Sequence, residues 1–279
     1  MLKIGLSSCS KPLTDETFAS YAKAGIKAME ISVSLEESKK TDFAEIKKLA
    51  DKHSVELWSY HLPFMPFEEI DISSPDETLR LNSVDFLCGL IQKAASAGIN
   101  KFVIHPSGEP IADAERPMHM ESSKKSLAAL AEFAHKFGAV IAVEDLPRTC
   151  LGKNSDEIKE LLSADDRLRV CFDTNHLLAE DFVDFIKNVG DKIITTHISD
   201  YDFEDEKHWL PGEGDIDWRR LYNALVDAGY NGVWLYELGF GAGRNIVRCR
   251  DLTCDDFVNN AKEIFENKEI TVVDGKISK

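Results

Sequence analysis

The sequence predicts an α/β protein built as a single closed (β/α)8 barrel, and three observations predict it. Short, continuously apolar segments recur eight times along the 279 residues, as parallel strands buried on both faces require. A segment with helical spacing follows each of them, which is the alternation of a parallel sheet with right-handed crossovers. The length also suits one barrel, which takes about 250 residues. An open doubly wound sheet is the alternative, but no Gly-x-Gly-x-x-Gly follows the first strand, so its dinucleotide-binding version lacks support.

Four of the predicted strands follow glycines that suit helix C-termini. Ala24-Gly25-Ile26-Lys27 leads into the second strand, and similar phrases contain Gly98, Gly138 and Gly229. Glycine readily adopts the left-handed conformation that commonly ends a helix. In chain order, the predicted strands are 2–6, 28–31, 55–61, 101–105, 140–144, 168–172, 193–198 and 233–237.

The predicted helices fill the segments between these strands. Thr14, Thr41, Asn154 and Thr253 are candidate N-caps, because their side chains accept hydrogen bonds from first-turn amides. The predicted helices are 14–24, 41–53, 76–97, 119–137, 154–163, 176–189, 217–228 and 254–267.

The chain is expected to form one domain, a barrel over residues 1–267, with a C-terminal appendage at 268–279. The appendage contains Val273-Asp274-Gly275-Lys276, a sequence suited to a hairpin turn.

Several of the loops that follow the strands are long, whereas those that precede the strands mostly span a few residues around a glycine. The long ones are 62–75, 106–118, 145–153 and 199–216. This asymmetry places the elaborated surface at the C-terminal ends of the strands, where barrel enzymes carry their active sites.

The composition is that of a globular protein with an acidic surface. Lys and Arg number 33 against 49 Asp and Glu, a formal net charge of −16, which argues against nucleic acid or an anionic membrane as partner. The six cysteines include no Cys-x-x-Cys pair, as expected of free thiols in a reducing compartment. No apolar segment has the length of a signal peptide core or a membrane span. We therefore expect a soluble, cytoplasmic protein.

A polar residue stands at or near the end of seven predicted strands. These residues are Glu30, His61, His105, Glu144, Asp173, His197 and Glu237. Each alone has an ordinary structural interpretation, such as a helix cap. In a closed barrel, however, they meet at one mouth, where buried carboxylates and imidazoles need a compensating cation.

The sequence therefore predicts a divalent metal held by Glu144, Asp173, His197 and Glu237. Three carboxylates and one imidazole suit manganese, magnesium or cobalt better than structural zinc, which favours thiolates and histidines.

Four motifs resemble the signatures of the xylose isomerase-like barrel superfamily, which contains sugar phosphate isomerases and epimerases and the type IV apurinic endonucleases. The motifs are Asp173-Thr174-Asn175-His176, Thr196-His197-Ile198-Ser199-Asp200, His208-Trp209-Leu210-Pro211-Gly212-Glu213-Gly214-Asp215-Ile216-Asp217-Trp218 and Tyr236-Glu237. As an ordered set, they extend the resemblance over nearly the whole chain.

The resemblance to ketose 3-epimerases implies one bound metal and a mechanism. Glu144 and Glu237 would move protons on opposite faces of the substrate carbon, through an enediolate that the metal stabilises. His176 would hydrogen-bond a sugar, phosphorylated or free, or a related polyol. The resemblance also allows a homo-oligomer.

Further residues are expected to contact the substrate at the mouth. His61, His105 and His208 are predicted to line the pocket, and Phe64 and Trp209 to cover the apolar face of the sugar. Arg116 and Arg148 are candidates for gripping a phosphate or carboxylate, and surface positions are the alternative for both. Two departures from the epimerase pattern are that Asp145 follows Glu144 where many relatives have asparagine, and that 199–217 contains no arginine.

Three alternatives stay open. A lyase or dehydratase would use the same site on a keto-polyol but expel a hydroxyl group after proton removal. A three-zinc apurinic endonuclease would use His61, His105 and His208 as added ligands, although the net charge of −16 disfavours DNA. A barrel that binds a sugar without turnover is the non-enzymatic alternative.

Overall fold

A computed structural model describes residues 1–9, 11–273 and 275–277 of the chain. It confirms the α/β barrel, with eight parallel strands and helices between them. The strands are β1 (Lys3–Ser7), β2 (Ala28–Ser32), β3 (Glu56–His61), β4 (Lys101–Ile104), β5 (Val140–Glu144), β6 (Arg169–Asp173), β7 (Ile193–His197) and β8 (Val233–Tyr236). Each of the first six pairs with the next, and β1 also pairs with β8.

The helices pack around the strands and supply the outer half of the core. They are α1 (Asp15–Ala24), α2 (Leu35–Ser38), α3 (Phe43–His53), α4 (Glu77–Ser96), α5 (Arg116–His135), α6 (Ser155–Leu162), α7 (Phe182–Val189), α8 (Trp218–Asp227) and α9 (Cys254–Phe265). A 3-10 turn at Gly190–Lys192 precedes β7. None of the helices that the structure describes is long and apolar enough to cross a membrane.

The seam between β7 and β8 closes at the strand ends. The amide of Ile198 donates to the carbonyl oxygen of Leu235 at 2.8 Å, and the amide of Glu237 donates to that of Ile198 at 3.2 Å. These bonds fix the backbone directly after His197 next to the backbone of Glu237. Closure of the barrel therefore brings the strand ends that carry His197 and Glu237 together.

Local signals explain most element boundaries, and the exceptions are informative. Gly25 ends α1 with φ of 97°, as predicted. The N-cap of α3 is Asp42, which accepts from two first-turn amides at 3.0 Å, so the assignment of Thr41 was wrong. The prediction of a helix from residue 176 was also wrong, because Asp181 caps α7. Helix α2, which Ser34 begins with a capping box, was missed.

The C-terminal region contributes a small second sheet. Strand β9 (Ile246–Arg248) pairs antiparallel with β10 (Gly275–Ile277). Asp274, within the predicted hairpin sequence, lies outside the described residues. The division into residues 1–267 and 268–279 stays a prediction.

A buried carboxylate, Asp200, organises the long loop between β7 and α8. Its oxygens accept from the amides of Gly212 at 2.7 Å and Ile216 at 3.2 Å, and from the indole of Trp218 at 2.8 Å. Burial raises the pKa of Asp200 to about 6, although these donors act in the opposite direction. The loop therefore depends on one side chain for several of its buried donors.

We expect Asp200→Ala to lower the free energy of unfolding by about 3 kcal/mol, because buried donors lose their acceptor and a cavity forms. Urea unfolding followed by tryptophan fluorescence measures the change. The control is Asp227→Ala, at an exposed position near the end of α8. Equal midpoints for the two variants would contradict this role.

Candidate metal centre

The four predicted metal ligands lie together at the C-terminal mouth of the barrel. Glu144, Asp173 and His197 are the last residues of β5, β6 and β7, and Glu237 directly follows β8. One ligand atom from each lies within 4.8 Å of those of the others. Parallel strands that end at the same level thus gather side chains from positions more than ninety residues apart.

The imidazole of His197 is held with one nitrogen facing this cluster. Its Nδ1 lies 2.8 Å from Oε1 of Glu144 and 3.1 Å from Oε2 of Glu237. Its Nε2 lies 3.1 Å from the fully buried carboxylate of Glu30, which also accepts from the hydroxyl of Ser59 at 2.8 Å. In the neutral ring, a proton on Nε2 donates to Glu30 and leaves the lone pair of Nδ1 directed at the cluster. Without an ion, and against the effect of burial, the neighbouring carboxylates raise the pKa of His197 and favour a second proton on Nδ1, so a bound metal would take the place of that proton.

Asp173 carries an oxygen that a cation would satisfy. Its Oδ1 accepts from the amide of Asn175 at 2.7 Å, whereas its buried Oδ2 has no hydrogen-bond partner among the described residues. The amide of Asp173 itself donates to Asp145 at 2.8 Å, which fixes the end of β6. A buried carboxylate oxygen without a donor is costly, and a divalent ion among these oxygens removes that cost. The donor set therefore fits a metal.

The buried groups of the cluster shift one another's pKa values. Burial opposes ionisation of Glu237, but His197 outweighs it and lowers the pKa of Glu237 to about 2. In the same way, His197 and His105 lower the pKa of Glu144 well below its usual value. Burial raises the pKa of Asp173 to about 6, and the nearby carboxylates act in the same direction. The excess of carboxylates at the mouth favours a cation.

A second cluster adjoins the first through Glu144. Nε2 of His61 lies 3.1 Å and Nε2 of His105 3.2 Å from Oε2 of Glu144. The Nδ1 of His61 faces the carbonyl oxygen of Leu62 at 3.0 Å, which requires a proton there. A lone pair on Nε2 then meets a carboxylate oxygen unless a proton or a cation lies between them. The three donors fit a further ion.

A third cluster joins His176 of the β6–α7 loop to Glu206 and His208 of the β7–α8 loop. Oε1 of Glu206 lies 3.2 Å from Nε2 of His176 and 3.6 Å from Nε2 of His208. The Nδ1 atoms of both rings face carbonyl oxygens, those of Asp145 at 2.8 Å and Glu237 at 3.1 Å. Both rings thus point Nε2 at the same carboxylate, which is again a donor set for an ion.

The predicted substrate contacts divide into those that line the mouth and one that does not. A cavity of about 400 Å³ is lined by His61, Phe64, His105, His176 and His208, among others. The ring of Phe64 stacks on His105 with centroids 3.8 Å apart. Trp209, by contrast, exposes 1% of its surface, and its indole donates to the carbonyl oxygen of Arg244 at 2.6 Å. This placement gives no support to its predicted contact with the substrate.

The two arginines expected to grip an anion are already paired. Arg148 contacts the carboxylates of Glu109, Asp205 and Glu206. Arg116 binds Glu157 at 2.6 Å and two backbone carbonyl oxygens. Both side chains hold loops in place in this structure. Their contacts are therefore with the protein itself, and this gives no support to a role in gripping an anion.

The structure shows contacts at the site for three residues to which the sequence analysis assigned no specific role. Glu30 orients His197, Asp145 holds the backbone of Asp173, and Glu206 joins two histidines. Their positions at strand ends and in the Glu206-Lys207-His208 segment are visible in the sequence. Their contacts depend on pairing between strands that are distant along the chain.

This fold and mouth define a barrel of the xylose isomerase-like class. The sequence profile of the xylose isomerase-like TIM barrel family matches residues 18–245, and the chain belongs to this family.

Particular relatives narrow the comparison. The chain is 26% identical over 252 residues to D-psicose 3-epimerase of Ruminiclostridium cellulolyticum, covering 83% of this chain and 82% of the relative. It is 26% identical to an uncharacterized protein of Methanocaldococcus jannaschii over 67% of this chain, and it spans 66% of that relative's length. The crystal structure of a D-tagatose 3-epimerase-like protein superposes with a TM-score of 0.81 at 21% identity, covering 95% of this chain and 98% of that one. At 21% identity, the similarity to this crystal structure is evidence for the fold alone.

We expect Asp173→Ala to weaken binding of a divalent metal about 100-fold or more, because removal of a direct ligand exceeds the effect of an outer hydrogen bond. The measurement is the metal content of purified protein after dialysis against manganese, by mass spectrometry. Glu160→Ala, at an exposed position on α6, is the control and should match the wild type. Full metal content in Asp173→Ala would refute the ligand assignment.

Proposed function

We propose that the protein is a divalent-metal-dependent isomerase or epimerase acting on a ketose or a related polyol. The observation that supports this best is the convergence of Glu144 and Glu237 with Asp173 and His197 within 4.8 Å at the mouth. Sugar epimerases among the sequence relatives and structural neighbours support the same reaction class. The oxygen-rich donor set favours manganese, magnesium or cobalt.

The two glutamates would carry the proton transfers. One carboxylate removes the proton from the carbon next to the carbonyl group, and the other carboxyl group delivers a proton to the opposite face. His197 lowers the pKa of each against the effect of burial, so either is available as the base at neutral pH. The carboxyl group on the other face would first take up a proton from solvent and then deliver it, and the proton that the base removed would return to solvent. When bound, the metal supplies Lewis-acid stabilisation of the charge that develops on the substrate oxygen.

The mouth supplies the means to orient a sugar and exclude water. The stacked rings of Phe64 and His105 offer an apolar face, against which the C–H face of a sugar packs. His176 and His208 line the same cavity, and Glu206, which faces Nε2 of both rings, forms with them a polar group for the hydroxyl groups of a sugar. The combination of an aromatic wall and convergent polar groups is typical of small-molecule sites.

The two flanking clusters favour a second candidate, a three-ion phosphodiesterase. His61 and His105 with Glu144, and His176 and His208 with Glu206, are each arranged to hold an ion. The formal net charge of −16 and the pairing of Arg116 and Arg148 with carboxylates oppose a DNA backbone. We therefore rank sugar chemistry first.

We expect wild-type protein loaded with manganese to exchange a carbon-bound hydrogen of a ketose with deuterium from solvent. The Glu237→Gln substitution should reduce the rate of this exchange at least about 1,000-fold. The amide keeps the size of the side chain but cannot accept the proton. Proton NMR over a panel of ketoses measures the exchange, and Glu160→Gln is the control. Loss of the carbon–hydroxyl bond during exchange would identify a lyase, and no exchange by the wild type would refute the proposal.

The number of bound ions separates the two candidates. We expect about one manganese ion per chain at saturation and no nicking of a duplex that contains an abasic site. Isothermal titration with manganese and with zinc gives the stoichiometry, and gel analysis of the duplex gives the nicking. Three tightly bound zinc ions with rapid nicking would establish the phosphodiesterase instead, whereas three ions without nicking would leave the sugar reaction in place.

A further inference from the structure

A second cavity opens from the mouth on the side of β1, β2 and β3. Its volume is about 760 Å³, against about 400 Å³ for the cavity beside the metal ligands. The two cavities share Cys9, Ser32, His61 and Phe64 in their linings. A molecule bound beside the metal ligands can therefore extend into the second cavity without leaving the protein surface. We call this second cavity the side cavity.

The side cavity has a predominantly apolar wall. Leu13, Val33 and Leu49 line it and are each half-buried against the main core. Leu35 and Ile46 line it as well, with 6% of their surfaces exposed. Hydroxyl groups of an unmodified sugar gain nothing from such a wall, since their hydrogen bonds to water are lost there. Methylene groups gain free energy roughly in proportion to the area they bury.

The charged groups around the side cavity are mainly acidic. The carboxylates of Glu37, Asp42 and Glu45 stand against the single ammonium of Lys11. Glu37 accepts from the amide of Ser34 and Asp42 from two first-turn amides of α3, but these donors are neutral and leave both negative charges in place. Glu45 is partly compensated by Lys48 at 3.1 Å, outside the cavity, and this pair is exposed. A doubly charged phosphate would be repelled by this set, whereas an amine would be attracted.

From these two features we propose that the substrate is a sugar that carries an apolar arm with an amine, and that the side cavity binds this arm. The proposal rests on the proposed function, since it takes the sugar to be bound beside Glu144 and Glu237. It replaces the wider class of free sugars, polyols and sugar phosphates by one kind of conjugate. The continuity of the two cavities determines where the arm lies. The acidic groups around the side cavity determine that the arm carries a positive charge.

Calorimetric binding to manganese-loaded protein tests the proposal. The ligands are D-fructose, its phosphate ester, and ketoses with a butylamino or a butyl ether group on either terminal carbon. We expect one butylamino ketose to bind at least about tenfold more tightly than D-fructose because its methylene groups are buried. The ether should fall between the two, and the phosphate ester should bind no more tightly than D-fructose.

Two variants test whether the tighter binding of the butylamino ketose comes from contacts in the side cavity. Leu49→Lys puts a cation on its apolar wall and Glu45→Lys reverses a charge at its rim, and both should reduce the tenfold preference to about twofold or less. Leu81→Lys is the matched control, because Leu81 is an exposed leucine on α4 that lines neither cavity. It should retain the full preference.

The outcomes separate this proposal from the proposed function. Equal affinities for all ligands, tightest binding of the phosphate ester, or an unchanged preference in both variants would overturn the conjugate proposal. Deuterium exchange with D-fructose by the wild type would then still support the epimerase. Preferential binding of the conjugate without any exchange would support the side cavity and refute the epimerase.

Discussion

The structure depends on the concentration of buried negative charge at one end of the barrel. Glu30, Glu144 and Asp173 are all fully buried there, and Glu237 is nearly so. Such groups repel one another unless cations or donors lie among them. Closure of the barrel makes this arrangement unavoidable, because each carboxylate stands at a strand end and the strand ends form a ring. A divalent ion at this position, as proposed above, would remove the repulsion among these donors.

The residues around the ligands determine which nitrogen of each imidazole faces the centre. His197 presents one nitrogen to Glu30, and His61, His176 and His208 each present Nδ1 to a backbone carbonyl oxygen. Those acceptors hold protons away from the mouth and leave lone pairs directed into it. The chain thus fixes the direction of its donors before any ion arrives, which lowers the ordering cost of binding.

The sequence was sufficient for the strands and for the mouth, because both depend on local patterns. Apolar runs after glycines predict the strands, and polar residues at their ends predict a convergent site. The role of Glu30 was not predictable, because the register between β2 and β3 shifts between Met29 and Glu30. The burial of Trp209, which gives no support to its predicted contact with the substrate, was not predictable either. Its loop is organised by the distant contacts of Asp200 with Gly212 and Trp218, which leave the indole buried.

The loops around the mouth differ in how firmly they are held. Arg148, at a φ of 53°, joins the loop after β5 to Glu109 of the loop after β4 and to Glu206 of the loop after β7. An ionic network therefore braces the side that carries the third cluster. On the opposite side, the loops after β1, β2 and β3 leave an apolar cavity between them. A braced polar wall facing an open apolar one suits a ligand whose reacting end is polar and whose other end is not.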